Sequence, residues 1–136
     1  MVGTLPRCPD NLSTVTLAEA MDINGVPGGA PHATSMRVAP AAFRRFWAGG
    51  VSAMTTPRTI WVSREAMAEI ERGSARRLLV HELTHLRQWR RHGAAGFVAR
   101  YLGDYLKARA GGFSHSDAYR AIRFERAAEA EARRWA

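Results

Sequence analysis

The spacing of apolar and polar positions changes along the chain. Residues 1–34 are rich in glycine, proline and small polar residues, as in "MDINGVPGGAPHATS", and keep no apolar period. They predict an irregular N-terminal arm, with one short helical turn around Leu17–Met21. "SMRVAP" reads as a short strand ended by Pro40, and "PAAFRRFWAGG" as a short helix with proline in its first turn and glycine past its end. "RTIWVS", residues 58–63, is the stronger strand: it is β-branched and aromatic, and it follows the turn residues Thr56 and Pro57. From Ser63 onward the period is helical. "SREAMAEIERG" runs from a serine N-cap to Gly73, and "SARRLLVHELTHLRQWRRHG" runs from Ser74 to Gly93. "AAGFVARYLGDYLKARAGG" repeats apolar residues at Phe97, Val98, Tyr101, Leu102 and Tyr105 before Gly111 and Gly112. "SHSDAYRAIRFERAAEAEARRWA" supplies a final helix or two. Short strands followed by helices predict an α+β domain over residues 35–136, behind the arm of residues 1–34.

Composition narrows this picture only a little. A chain of 136 residues suits one domain, and 46% apolar content suffices for a core. No run of about 18 apolar residues spans a membrane. No basic start leads into an apolar block, so no secretory signal is expected and the cytoplasm is the default location. Export by a specialised machine would leave no readable mark. Cys8 is the only cysteine, which excludes an internal disulfide and a cysteine-rich zinc knuckle. The net charge of +8 is nearly all arginine, with Lys107 the only lysine. The arginines lie in pairs spread along the chain rather than in a tail. They make a basic module for nucleic acid or an acidic partner the rival function.

The chemistry concentrates in "LLVHELTHLRQW", residues 78–89. On a helix His81 and His85, four apart, project from one face. Leu79, Leu83 and Leu86 form a stripe on another face that can pack into a core. Two imidazoles, a further protein ligand and an open position for water make up a catalytic zinc site. Glu82, beside the first histidine, is then the general base and not a ligand. His92 lies about 10 Å further along the helix axis and cannot join the same ion. The longer pattern H-E-x-x-H-x-x-G-x-x-H would need glycine at 88 and histidine at 91, where this chain has Gln88 and Arg91. The remaining ligand must come from later in the chain: His115, Asp117, Glu125, Glu129 and Glu131 are the candidates.

"HELTHLRQW", "FVARYLGDYL" and "SHSDAYRAIRFERAAEAEA" together resemble the minimal gluzincin metallopeptidases, compact zinc peptidase domains some of which occur beside contractile injection systems. The resemblance covers about residues 35 to 132 and includes "AMTTPRTIWVS", similar to the family's cleft-lining strand. It implies a compact zincin-like fold with one Zn²⁺ per chain and a peptide or protein substrate. It also implies Glu125 as the third ligand and Glu129, one turn on, as the carboxylate that orients a zinc histidine. The chain departs from the family's usual "IPFEREA" at Arg123 and Ala127. Tyr119 is implied as a group that stabilises the oxyanion. "PRCPD" resembles in part the cysteine switch of matrix metallopeptidases, which would make Cys8 a latency ligand.

The expectation is a zinc-dependent endopeptidase that pairs an extended substrate with the strand near Thr59–Val62. The alternative is a basic binding module whose zinc is structural or catalytically silent.

Overall fold

The computed structural model describes residues 15–30, 34–47 and 49–135. Its elements run β1 (Val15–Thr16), α1 (Leu17–Ile23), β2 (Ser35–Val38), α2 (Ala41–Arg44), β3 (Ala53–Thr55) and β4 (Thr59–Val62). The helices α3 (Arg64–Glu71), α4 (Arg76–Ala110), α5 (His115–Ala121) and α6 (Arg123–Arg134) follow. The fold is thus α+β: a four-stranded sheet in the order β1-β2-β4-β3, then helices. β2 and β4 pair in parallel, and β1 and β3 add antiparallel at the two edges.

Alternation along β4 explains its place. Ile60 and Val62 are fully buried, while Thr59 and Trp61 stay partly exposed on the other face. β4 has a neighbour on each side, so it is an inner strand. Ser63 ends it and caps α3 by accepting the Ala66 N–H at 3.1 Å. Leu79, Leu83 and Leu86 form the expected stripe and close over the same core as Leu17, Met36, Ile60 and Ile70.

One difference from the sequence expectation matters. Residues 15–26 carry the helical turn expected around Leu17–Met21, as α1, but they pack into the main core instead of standing apart as an arm. Thr16 and Glu19 form a reciprocal capping box that starts α1, whose Leu17, Ala20 and Met21 are buried in the main core. The buried Asn24 donates to the carbonyls of Ala20 and Ile70, both at 2.9 Å, and accepts the Ala75 N–H at 2.8 Å. A boundary at residue 35 would cut through this core. α4 bears out the expected stop and restart. The helical period stops at Gly93, where φ is 68° and ψ 168°, and the chain resumes helix at once. The break gives α4 two arms, and on the second arm Phe97 stacks against Trp89 of the first, with ring centroids 4.0 Å apart.

α6 begins at Arg123, where the family pattern often has proline. The Arg123 N–H, unpaired in a first helical turn, donates to Asp104 Oδ2 at 3.0 Å, and its Nε donates to the same oxygen at 3.0 Å. A carboxylate from the second arm of α4 therefore caps the helix that carries Glu125.

Candidate metal centre

His81 and His85, one turn apart on the first arm of α4, aim their Nε2 atoms at one point. The two nitrogens are 3.1 Å apart. Glu125 reaches the same point from α6, with Oε2 3.1 Å from His81 Nε2 and Oε1 3.2 Å from His85 Nε2. Among the described residues, this is the group of histidine and acidic side chains whose donor atoms, all within 4.8 Å of one another, could hold a metal ion. The other candidate ligands are engaged elsewhere: His115 accepts from or donates to the Tyr105 hydroxyl at 2.8 Å, Asp117 pairs with Arg120, and Glu131 with Arg134.

The donor set fits a divalent cation such as Zn²⁺ on its own chemistry. Two imidazole nitrogens and a carboxylate turned inward on one point need a shared positive charge. The titration behaviour reflects the same need. Burial favours a neutral His85, but the hydrogen bond and charge of Glu125 outweigh it and push the ring up to about 9. Burial also raises the Glu125 carboxyl, yet hydrogen bonds from His81 and His85 win and hold it below the ordinary carboxylate range. A proton on His85 thus stands where a metal would.

Three supports hold these donors. His85 Nδ1–H donates to Gln88 Oε1 at 2.8 Å, which leaves Nε2 for the shared point. Gln88 in turn donates to the Phe124 carbonyl at 3.1 Å, next to Glu125 in sequence. The Tyr101 hydroxyl, from the second arm of α4, donates to Glu125 Oε1 at 2.8 Å. Neither Gln88 nor Tyr101 was singled out from the sequence. Gln88 sits three residues after His85, a spacing at which helix side chains meet, so that signal was present. Tyr101 reaches Glu125 only because the chain breaks at Gly93, and no spacing announces that.

Glu82 is buried beside the group and does not join it. Its Oε2 accepts the Thr55 hydroxyl at 2.5 Å, and burial pushes its carboxyl up. Tyr119, on α5, lies with Glu82 and Glu125 along both cavities that flank the group. Burial and then the Glu125 charge push its hydroxyl up, so it remains a proton donor. Glu129 comes near His81, with Oε2 3.6 Å from Nδ1. That is an ion-pair distance and too long for a hydrogen bond, because Arg77 and Arg133 hold the same carboxylate. Cys8 lies outside the described residues.

Residues 31–93 match the eCIS core domain family. The match covers just under half of the chain, takes in His81, Glu82 and His85, and ends before Glu125. It agrees with the contractile-injection context of the resemblance. No curated protein and no solved structure is detectably similar to the chain. No helix among the described residues is long and apolar enough to cross a membrane.

One expectation is corrected. Thr59–Val62 cannot pair an extended substrate, because β2 and β3 occupy both of its edges. Among the described residues, the open edge beside Glu82 belongs to β3. Ser52 accepts from the Ser63 N–H and Thr56 donates to the Thr59 carbonyl, so the ladder's alternation turns the backbone groups of Ala53 and Thr55 away from β4. The Thr55 carbonyl takes the Trp89 indole N–H at 3.1 Å. β3 is three residues long, too short to show an alternating pattern in sequence.

Proposed function

We propose that this chain is a zinc-dependent endopeptidase. The observation that carries the reading is the convergence of His81, His85 and Glu125, with the Glu82 carboxylate buried beside them. The open backbone edge of Ala53–Thr55 along the same cleft supports it. His81, His85 and Glu125 would hold the metal, whose contribution when bound is to polarise the scissile carbonyl and to acidify water. Glu82 accepts the proton of the attacking water and returns it to the amine that leaves. Thr55 fixes one oxygen of Glu82, so that the other can face the cleft. Tyr119, kept protonated by its surroundings, donates to the carbonyl oxygen as it becomes negative. The free backbone groups at Ala53 and the Thr55 N–H pair an extended peptide without reading its side chains. The match to the eCIS core domain supports a role alongside a contractile injection system.

The test joins metal content to hydrolysis. Wild type should carry about one zinc per chain, Glu125→Ala should lose most of it, and a chelator should stop cleavage of a denatured protein. Glu82→Gln should keep its zinc yet cut about 10²-fold more slowly or worse, the usual loss for a general base. Zinc-loaded Glu82→Gln with undiminished hydrolysis would refute the assignment.

A further inference from the structure

We propose that the cleft selects substrates on both sides of the bond to be cut, taking an apolar side chain on its N-terminal side and an acidic one on its C-terminal side. This rests on the peptidase reading above and names its substrate class. Two cavities meet at the metal group, sharing Ala53, Glu82, Tyr119 and Glu125, and their chemistry is opposite. The smaller, about 230 Å³, is walled by Trp89, Phe97, Val98, Tyr101 and Leu102. Val98 and Leu102, one turn apart on the second arm of α4, are 42% and 50% exposed. They add nothing to the main core, so an apolar ligand is what their placement suits.

The larger cavity, about 740 Å³, is lined by Arg77, Arg120, Arg126 and Arg133. Its acids are Glu82 and Glu125 at the metal end, and Glu69 and Glu129 among the arginines. Glu129 is shared by Arg77 and Arg133. Among the described residues, Arg120 has only a long, solvent-exposed pairing to Asp117 at 3.6 Å. Arg126 makes no ion pair among the described residues. Away from the metal end, four arginines thus face two glutamates, and a carboxylate entering there finds arginines with spare donors.

β3 fixes which side is which. Val51 and Ser52 precede Ala53 on the arginine side, and Met54, Thr55 and Thr56 follow it on the apolar side. A peptide paired antiparallel to β3, the more stable of the two pairings, runs the opposite way. Its N-terminal half lies along Met54–Thr56 and its C-terminal half along Val51 and Ser52.

The experiment measures binding, so that it does not depend on turnover. Short fluorescent peptides are titrated by anisotropy into the full zinc-supplemented chain carrying Glu82→Gln. The reference peptide has phenylalanine before its central bond and glutamate after it. Replacing that glutamate by glutamine should weaken binding about fivefold, the upper end for exposed ion pairs. Replacing the phenylalanine by serine should weaken it about tenfold. The joint variant Arg120→Gln/Arg126→Gln should abolish the first difference and leave the second. Val98→Ser/Leu102→Ser should do the reverse. Equal binding of all peptides, equal binding of a peptide with the two residues exchanged, or preferences that survive the variants would overturn the proposal. Selective binding by a wild-type chain that cuts nothing would instead sink the peptidase reading and leave the two cavities as a peptide-binding cleft with the same two preferences.

Discussion

His85 has one ring nitrogen committed to Gln88 and the other turned towards His81 and Glu125. Metal binding needs that ring neutral, and its proton leaves only near pH 9 in the metal-free protein. Apparent zinc affinity should therefore rise about tenfold per pH unit between roughly 6.5 and 9, with about one proton released per ion. Calorimetry in buffers of different ionisation enthalpy reads that proton, and a pH-independent affinity would contradict the assignment. Stability without metal runs the other way. The folded value lies above the unfolded one, so this stabilisation is complete below about pH 6.5 and lost as pH rises towards 9. Melting temperature in chelator should fall across that window. Gln88 makes the complementary case. Gln88→Leu removes the acceptor for His85 and the donor to Phe124, and should weaken zinc binding about 10- to 100-fold. Gln88→Glu keeps the acceptor and should retain most of the affinity; equal loss in both variants would reduce Gln88 to a packing residue.

At the scale of elements, the break in α4 separates what the sequence disclosed from what it hid. The histidine arm was legible because its leucine stripe, its histidine spacing and its glycine stop all follow the helical period. The joining of Tyr101 to Glu125 was not, since it depends on the direction the chain takes after Gly93. β1 and β3 also escaped, because two or three residues cannot display alternation. Missing them made β4 look like an edge. The break itself is testable by comparing two glycines. A Cβ at Gly93 or at Gly103 would meet nothing within 4 Å, so in each case the backbone alone decides. Gly93 holds φ 68° and ψ 168°, a region almost confined to glycine, and Gly93→Ala should cost about 1–3 kcal/mol. Gly103 lies within the second helical arm, and Gly103→Ala should stabilise by about 0.5–1 kcal/mol. Thermal melts in chelator give both signs. Gly93→Ala should also lose zinc affinity, because Tyr101 is carried by the arm beyond the break.

Across the whole molecule, the metal group hangs on a core that the sequence pattern divided too late. Glycine and proline in residues 22–34 hid that the short helix expected around Leu17–Met21 belongs to the core, although its "TLAE" capping box, threonine followed three residues later by glutamate, marks a well-formed helix start. The consequence reaches the centre through Asn24. Its side-chain oxygen takes the Ala75 N–H, at the N-terminus of the helix that carries His81 and His85, and its amide holds the end of α3. A chain of residues 35–136 would lose these bonds, worth about 1 kcal/mol each. It would also lose the burial of Leu17 and Met21, about 1.5–3 kcal/mol for each side chain. Together these losses rival the 5–15 kcal/mol that separates a typical domain from its unfolded state. Residues 35–136 alone should therefore show no cooperative melting and bind no zinc stoichiometrically. In the full chain, Asn24→Ala should lower the melting temperature and keep one zinc per chain. A truncated chain that melts cooperatively and holds its metal would mean that strand β1 and helix α1 only lean on a domain complete without them.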